Sequence, residues 1–242
     1  MYLVIDIGNT NQKAALFDVA GRLSQIVLKE QLNIEDLAPW MANHDIRAAI
    51  ISSVGCENPE FSRWLSEQVP TIVFSSALKL PVGIRYATPE TLGTDRIANA
   101  VGANHLFPNE NVLSIQVGSC LVTDLVTADN QYIGGTIAPG LRMRFRALEH
   151  FTAKLPLIEP KPVDFLAGNS TEQSILSGVI NGMASEIDGL ISRYAAQYSN
   201  LKVVMTGGDA QRLEGLLKNS IFAAPNLVLS GLYKILQFNA AE

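Results

Sequence analysis

Asp6-Ile7-Gly8-Asn9-Thr10-Asn11-Gln12-Lys13 combines residue types that suit a phosphate site. An apolar, β-branched run from Tyr2 to Ile7 delivers an acidic side chain to its end. The small-residue turn that follows exposes backbone N–H groups, which can cradle phosphate oxygens. Asn9, Thr10 and Asn11 add hydrogen-bonding side chains, and Lys13 returns a cation on the next run. Asp6 could hold Mg²⁺ through water, because that ion prefers a carboxylate together with retained waters. The plain alternative is a β-turn with a solvated aspartate. The GxxxxGK[ST] spacing of a Walker A loop is absent.

Three further turns carry candidate chemistry. Gly118-Ser119 repeats the small-residue turn in the second half of the chain, and two such turns could grip a nucleotide's phosphates. Gly207 and Gly208, followed by Asp209, end an apolar run, and glycines there let another molecule such as an adenosine approach the backbone closely. Thr91-Leu92-Gly93-Thr94-Asp95-Arg96 opens a run of helical spacing. Asp95 suits a general base toward an attacking hydroxyl, and Arg96 suits an acidic group on the substrate. The plain alternatives are ordinary strand-to-strand and strand-to-helix turns, and a capping Asp with a surface ion pair.

Alternating strands and helices must position these turns. Tyr2 to Ile7, Lys13 to Val19 and Leu23 to Leu28 read as a three-strand meander. Ile34 to Asn43 reads as a helix despite Pro39, and Arg47 to Ser53 as a buried strand. Pro59 to Gln68 reads as a helix capped by Asn58, followed by a strand at Thr71 to Phe74. A loop rich in Pro, Gly and Thr spans Lys79 to Gly93, and Asp95 to Leu106 has helical spacing. The pattern then restarts with strands at Val112 to Val117, Leu121 to Thr127 and Tyr132 to Ile137. Helices are expected at Leu141 to Phe151, Thr171 to Tyr198 and Ala210 to Lys218. Short strands are expected at Val203 to Met205 and Asn226 to Ser230, with a last helix over Gly231 to Phe238. The same order of elements twice predicts an α/β chain of two halves, residues 1–109 and 110–242.

Composition narrows the class of partner. The chain has 242 residues, 48% hydrophobic and 17% charged, enough for a core without staples. The net charge of −5 and scattered Lys and Arg offer no basic patch for nucleic acid or an anionic membrane. Cys56 and Cys120 form neither a disulfide framework nor a CxxC site, and His44, His105 and His150 lack metal-ligand spacing. No apolar run reaches the length of a spanning helix, and Asp6 interrupts the first one, so a cytoplasmic location is expected.

Taken together, these motifs resemble the type III pantothenate kinases, a bacterial family in the actin, Hsp70 and sugar-kinase superfamily. The family's DxGNT and downstream lysine are matched by Asp6 to Lys13, and its YxxPxTLGxDR by Tyr86 to Arg96, here YATPETLGTDR. Its GGxIxPG is matched by Gly134 to Gly140, and its ALxxxTAxLP by Ala147 to Pro156. Its GxxT…SG helix start is matched by Gly168 to Thr171 with Ser177-Gly178, and its GGD turn by Gly207 to Asp209. The resemblance implies two RNase H-like (actin-like ATPase) halves, with mixed sheets flanked by helices and ATP in the cleft between them. It implies Mg-ATP-dependent phosphorylation of pantothenate, the entry to coenzyme A, by a homodimer whose substrate pocket lies at the subunit interface. By this analogy Asp95 is the proton acceptor, and Tyr86, Gly93, Thr94 and Arg96 line the pocket with Thr171 of the second subunit. Asp6, Gly8, Asn9, Thr10, Asn11, Lys13, Gly118, Ser119, Gly207 and Gly208 would handle ATP and Mg²⁺.

One departure stands out. Where the family reads DxGTA, this chain reads Gln116-Val117-Gly118-Ser119-Cys120. The family's Asp helps bind K⁺ or NH₄⁺, and Gln116 offers an oxygen without a charge, so weakened monovalent-cation binding is expected. Asp124 is a nearby carboxylate that could compensate. Gln116 also keeps open a non-catalytic relative that binds ligand as a regulator. A different kinase of the superfamily is the other alternative, with the YATPETLGTDR stretch against it.

Overall fold

The computed structural model describes residues 1–53, 59–75 and 78–240. Cys56 and the expected cap Asn58 lie outside them. The chain folds into two compact units, each described by itself. Unit 1 comprises Met1–Pro108, Asn130–Tyr132 and the chain from Asn226 onward; unit 2 comprises Asn109–Asp129 and Ile133–Pro225. The chain passes from the first unit to the second near residue 109. The tail differs from a simple division at that point, because it returns to unit 1.

In unit 1, β1 (Tyr2–Ile7), β2 (Gln12–Phe17) and β3 (Leu23–Lys29) form the expected antiparallel meander. Next come α1 (Ile34–Asn43), β4 (Ala48–Ser53), α2 (Pro59–Gln68) and β5 (Thr71–Val73). β4 lies parallel to β1, and β5 parallel to β4, giving the order β3-β2-β1-β4-β5. β1 is apolar on both faces because both are covered. Leu3, Ile5 and Ile7 pack with Leu37 of α1 and Phe61 and Leu65 of α2. α1 runs through Pro39, with Leu37 fully buried.

The opposite face of β1 meets helices from distant parts of the sequence. α3 (Thr94–Leu106) packs against α7 (Leu227–Ala240), and α7 lies on β1 and β4. Tyr233 of α7 stacks on Phe17 at 4.8 Å between ring centroids and donates its hydroxyl to the Asp18 carbonyl at 3.1 Å. The expected strand at Asn226 to Ser230 is therefore corrected: Leu227 onward is helix. Leu227, Leu229 and Leu232 are buried, so helical packing overrides the strand propensity of Val228.

Unit 2 repeats the topology. It contains β7 (Val112–Val117), β8 (Cys120–Val126), β9 (Gln131–Pro139) from Ile133 onward, α4 (Leu141–His150) and α5 (Thr171–Gln197). β10 (Lys202–Thr206), α6 (Ala210–Glu214) and β11 (Phe222–Ala223) follow. The strand order β11-β10-β7-β8-β9 mirrors β5-β4-β1-β2-β3, with β7 and β8 antiparallel and β10 parallel to β7. α6 is shorter than the expected Ala210 to Lys218. One core here joins Leu113, Ile115 and Val117 to Phe145 of α4 and Ile180, Met183 and Ile187 of α5. A two-residue strand, β6 (Gly83–Ile84), sits in the expected Lys79–Gly93 loop and pairs with Gln131 and Tyr132.

Candidate active site

Asp6 is the last-but-one residue of β1, flanked in register by Lys13 on β2 and Ser52 on β4. Directly paired residues project from the same sheet face, so the three side chains form a row at the strand ends. The turn beyond is tight: the Gly8 N–H donates to the Asn11 carbonyl at 3.2 Å. Asn9, Thr10 and Asn11 are exposed at its tip. The Asp6 Oδ1 is buried without a hydrogen-bond partner. Burial, and next the charge of Asp95, push the Asp6 carboxyl up to about 6, against a smaller downward pull from Lys13.

Asp95 is the second residue of α3. Its carboxylate turns back over the helix start and accepts the Arg96 N–H at 2.9 Å. A Cβ at Gly93 would come within 2.6 Å of the Asp95 Oδ1, so any other residue there would push the carboxylate from this seat. Burial holds the Asp95 carboxyl above the usual range, opposed by the Arg96 N–H bond and the Arg96 charge. A raised carboxyl pKa brings a general base closer to the operating pH. Two raised carboxylates within Coulombic reach also make a place where a divalent cation relieves both.

Arg96 is 7% exposed, with its guanidinium 5.7 Å from the centroid of the Tyr86 ring. Tyr86 in turn lies against the buried Tyr132, 5.9 Å between centroids. β6 sets this arrangement, because the Arg85 N–H donates to the Tyr132 carbonyl at 2.9 Å. A 3₁₀ turn at Pro89–Thr91 then carries the chain to Gly93, the N-cap of α3. Unit 1 thus brings together Asp6, Lys13, Tyr86, Gly93, Thr94, Asp95 and Arg96.

Among residues given no role from the sequence, Ser52 is fully buried and donates its hydroxyl to the Thr94 Oγ1 at 2.9 Å. Asn99, also fully buried, follows Asp95 by one helical turn. The available signal for Ser52 was a pair of hydroxyl residues closing the otherwise apolar run AAIISS.

The unit 2 candidates gather around the end of β7. Gly118 and Ser119 form the β7–β8 turn, closed by the Gly118 N–H to the Cys120 carbonyl at 3.0 Å. The Gly140 N–H donates to the Ser119 carbonyl at 3.2 Å, so the end of the GGTIAPG motif holds this turn. Gly207 has φ +104°, and a Cβ there would meet the Val117 carbonyl at 2.2 Å, so only glycine fits. The Asp209 N–H donates to the same carbonyl at 3.1 Å. Gly208 faces open space. Gln116 is paired in register with Thr206 and Val122, and Asp124, paired with Ser114, shares its face of the sheet. Asp124 is 1% exposed. Thr171, the first residue of α5, is exposed, and Ser170 caps the helix by accepting the Gln173 N–H.

Among the described residues no cluster of three or more His, Cys, Asp or Glu could hold a metal ion, and no helix is long and apolar enough to cross a membrane. So small a set of carboxylates suits Mg²⁺ that keeps its waters and binds phosphates, rather than an all-protein cage. A cavity of about 530 Å³ lies at the far end of α3 from Asp95, lined by Val101, Asn104, His105 and Lys234 among others. Burial and the Lys234 charge lower the His105 pKa. His44 pairs with Gln25 at 3.1 Å, and His150 packs edge-on against Phe151.

The type III pantothenate kinase family model matches residues 2–193. The type III pantothenate kinase of Christiangramia forsetii is 44% identical, with all of both chains covered. That of Phocaeicola vulgatus is 41% identical over 99% of both. A ROK family glucokinase from Streptomyces griseus, solved with glucose and AMPPNP, shares the fold at TM-score 0.54 and 13% identity, covering 99% of this chain and 100% of that one. An activator of 2-hydroxyisocaproyl-CoA dehydratase from Clostridium difficile, solved with bound ADPNP, does so at TM-score 0.57 and 13% identity, covering 99% and 96%.

Proposed function

Since this chain belongs to the type III pantothenate kinase family, we propose that Asp95 is its general base and Asp6 the carboxylate that carries Mg²⁺. The enzyme phosphorylates pantothenate with ATP to give 4'-phosphopantothenate, the first step of coenzyme A biosynthesis. The observation that supports the assignment of roles is the half-buried pair Asp6 and Asp95, close enough for the charge of Asp95 to raise the Asp6 pKa. Asp95 takes the proton of the primary hydroxyl of pantothenate. The oxygen forms a bond to the γ-phosphorus of ATP as the bond to the bridging oxygen breaks, and ADP leaves. Bound Mg²⁺ supplies charge neutralisation along the phosphates. Lys13 and the backbone of the turn that the Gly8 N–H closes add fixed donors, which positioning-dominated phosphoryl transfer needs. Arg96, held by Tyr86, pairs with the pantothenate carboxylate. Thr94 offers its hydroxyl to the same substrate.

In unit 2, Gly118 and Ser119 serve the phosphates, and Gly207 and Gly208 the adenosine. The chain acts in the cytoplasm as a homodimer, with Thr171 of each subunit completing the other's pantothenate pocket. Gln116, lacking the negative charge of aspartate, weakens the K⁺ or NH₄⁺ site. The non-catalytic alternative rests on Gln116 alone and finds no support among the relatives.

The test is ATP consumption with and without pantothenate, at varied K⁺ against an inert-cation control. Turnover should require pantothenate and rise little with K⁺, and Asp95→Asn should lose on the order of 10²–10⁴-fold in kcat with the fold intact. A strong K⁺ requirement would overturn the reading of Gln116. Turnover that survives Asp95→Asn would remove the general-base assignment.

A further inference from the structure

Ser52 stands beside Asp6 on the neighbouring strand, in direct register and on the same face of the sheet. A serine hydroxyl there could donate to the Asp6 carboxylate. It donates instead to the Thr94 Oγ1 at 2.9 Å. Among the described residues this is the hydrogen bond its side chain makes, and Ser52 is 0% exposed, so no solvent competes for it. The choice has two consequences. It ties the end of β4 to the first residue of α3, one position before Asp95. It also leaves the Asp6 Oδ1 buried and unpaired. Because the Thr94 oxygen accepts from Ser52, the hydrogen of the Thr94 hydroxyl is aimed elsewhere and can be donated to a ligand.

We propose that Ser52 is a positioning residue of the phosphoryl-transfer site: committed to Thr94, its hydroxyl orients the substrate-facing donor of α3 and keeps the neighbouring Asp6 carboxylate bare for the metal. This rests on the kinase reading above. Ser52 touches no reacting atom and acts through Thr94.

The experiment is a double-mutant cycle with Ser52→Ala and Thr94→Val, read by steady-state kinetics and by calorimetric binding of MgATP. Pantothenate-dependent turnover of the unsubstituted enzyme is measured first; its absence would overturn the kinase reading itself. Ser52→Ala should raise the KM for pantothenate about five- to tenfold, the loss of one oriented hydrogen bond, and change the KM for ATP less than twofold. The two substitutions should be non-additive. Thr94→Val carries the sharper signature. It frees the Ser52 hydroxyl to turn to Asp6 and occupy the oxygen left for the metal. The calorimetric Kd for MgATP should therefore rise about threefold, the cost of one competing hydrogen bond, in Thr94→Val and return in the double variant. A merely structural serine would shift thermal stability and leave both readouts where they were. Additive effects with an unmoved Kd for MgATP would overturn the proposal. Should Ser52→Ala fail to fold, Ser52→Cys, close in size and a weak donor, is read by the same criteria.

Discussion

An Asp6→Asn substitution should make the folded chain more stable at neutral pH while abolishing turnover. The Asp6 carboxyl rises from 3.8 to about 6 on folding, chiefly through burial and the charge of Asp95. A raised carboxyl pKa means that the folded state holds its proton longer than the unfolded chain. Stability from this group therefore falls as pH rises from 3.8 to about 6 and stays lowered above that window. The full penalty is on the order of 3 kcal/mol. Thermal unfolding at pH 7 should show Asp6→Asn the more stable protein, and the difference should vanish below pH 4. Equal stability at pH 7 would count against a strained, metal-ready carboxylate. Asp6 and Asp95 drew notice in the sequence because Asp6 is a charge at the end of an apolar run and Asp95 stands beside Arg96 where a helix opens. Ser52 and Asn99 were not. A serine closing a strand looks ordinary until its partner, 42 positions away, is brought against it.

At the scale of elements, the start of α3 depends on a missing side chain. Gly93→Ala would place a Cβ 2.6 Å from the Asp95 Oδ1, so the carboxylate must leave its bond to the Arg96 N–H. The expected result is a fall in kcat of at least tenfold, with a thermal midpoint within a few degrees of the parent. A Gly93→Ala enzyme with unchanged kcat would show that the curled position of Asp95 is dispensable. The meander, the Asp95 helix and the long α5 were legible because turn residues and helical spacing marked them. β6 was hidden in a loop rich in Pro and Gly, since two residues carry no periodicity and its partner strand lies far along the chain. Asn226 to Ser230 was misread for a related reason. The segment is apolar on several sides, and only its packing against α3 distinguishes helix from strand.

For the whole molecule, the proposed homodimer makes a prediction that needs no interface description. Asp95→Asn chains and Thr171→Arg chains should each be inactive. Mixed and allowed to exchange, they should recover activity up to about a quarter of the parent's, because each mixed dimer holds one intact pocket. Recovery near zero, with exchange confirmed by mass, would remove Thr171 from the partner's pocket. The two-fold repeat of element order was legible from turn spacing alone, and both units adopt the same strand order. The return of α7 to unit 1 was not, because a tail helix gives no sign of which half it will cover. Its placement has a consequence for synthesis. Unit 1 holds the proposed carboxylates, yet its β1 and β4 face is covered by a helix made after every strand of both sheets. Unit 2 can close while the chain is still growing. Unit 1 must wait with an open sheet, exposed to aggregation and to chaperones, until Leu227–Ala240 arrives. A chain stalled before Leu227 would thus fail first in the half that holds Asp6 and Asp95.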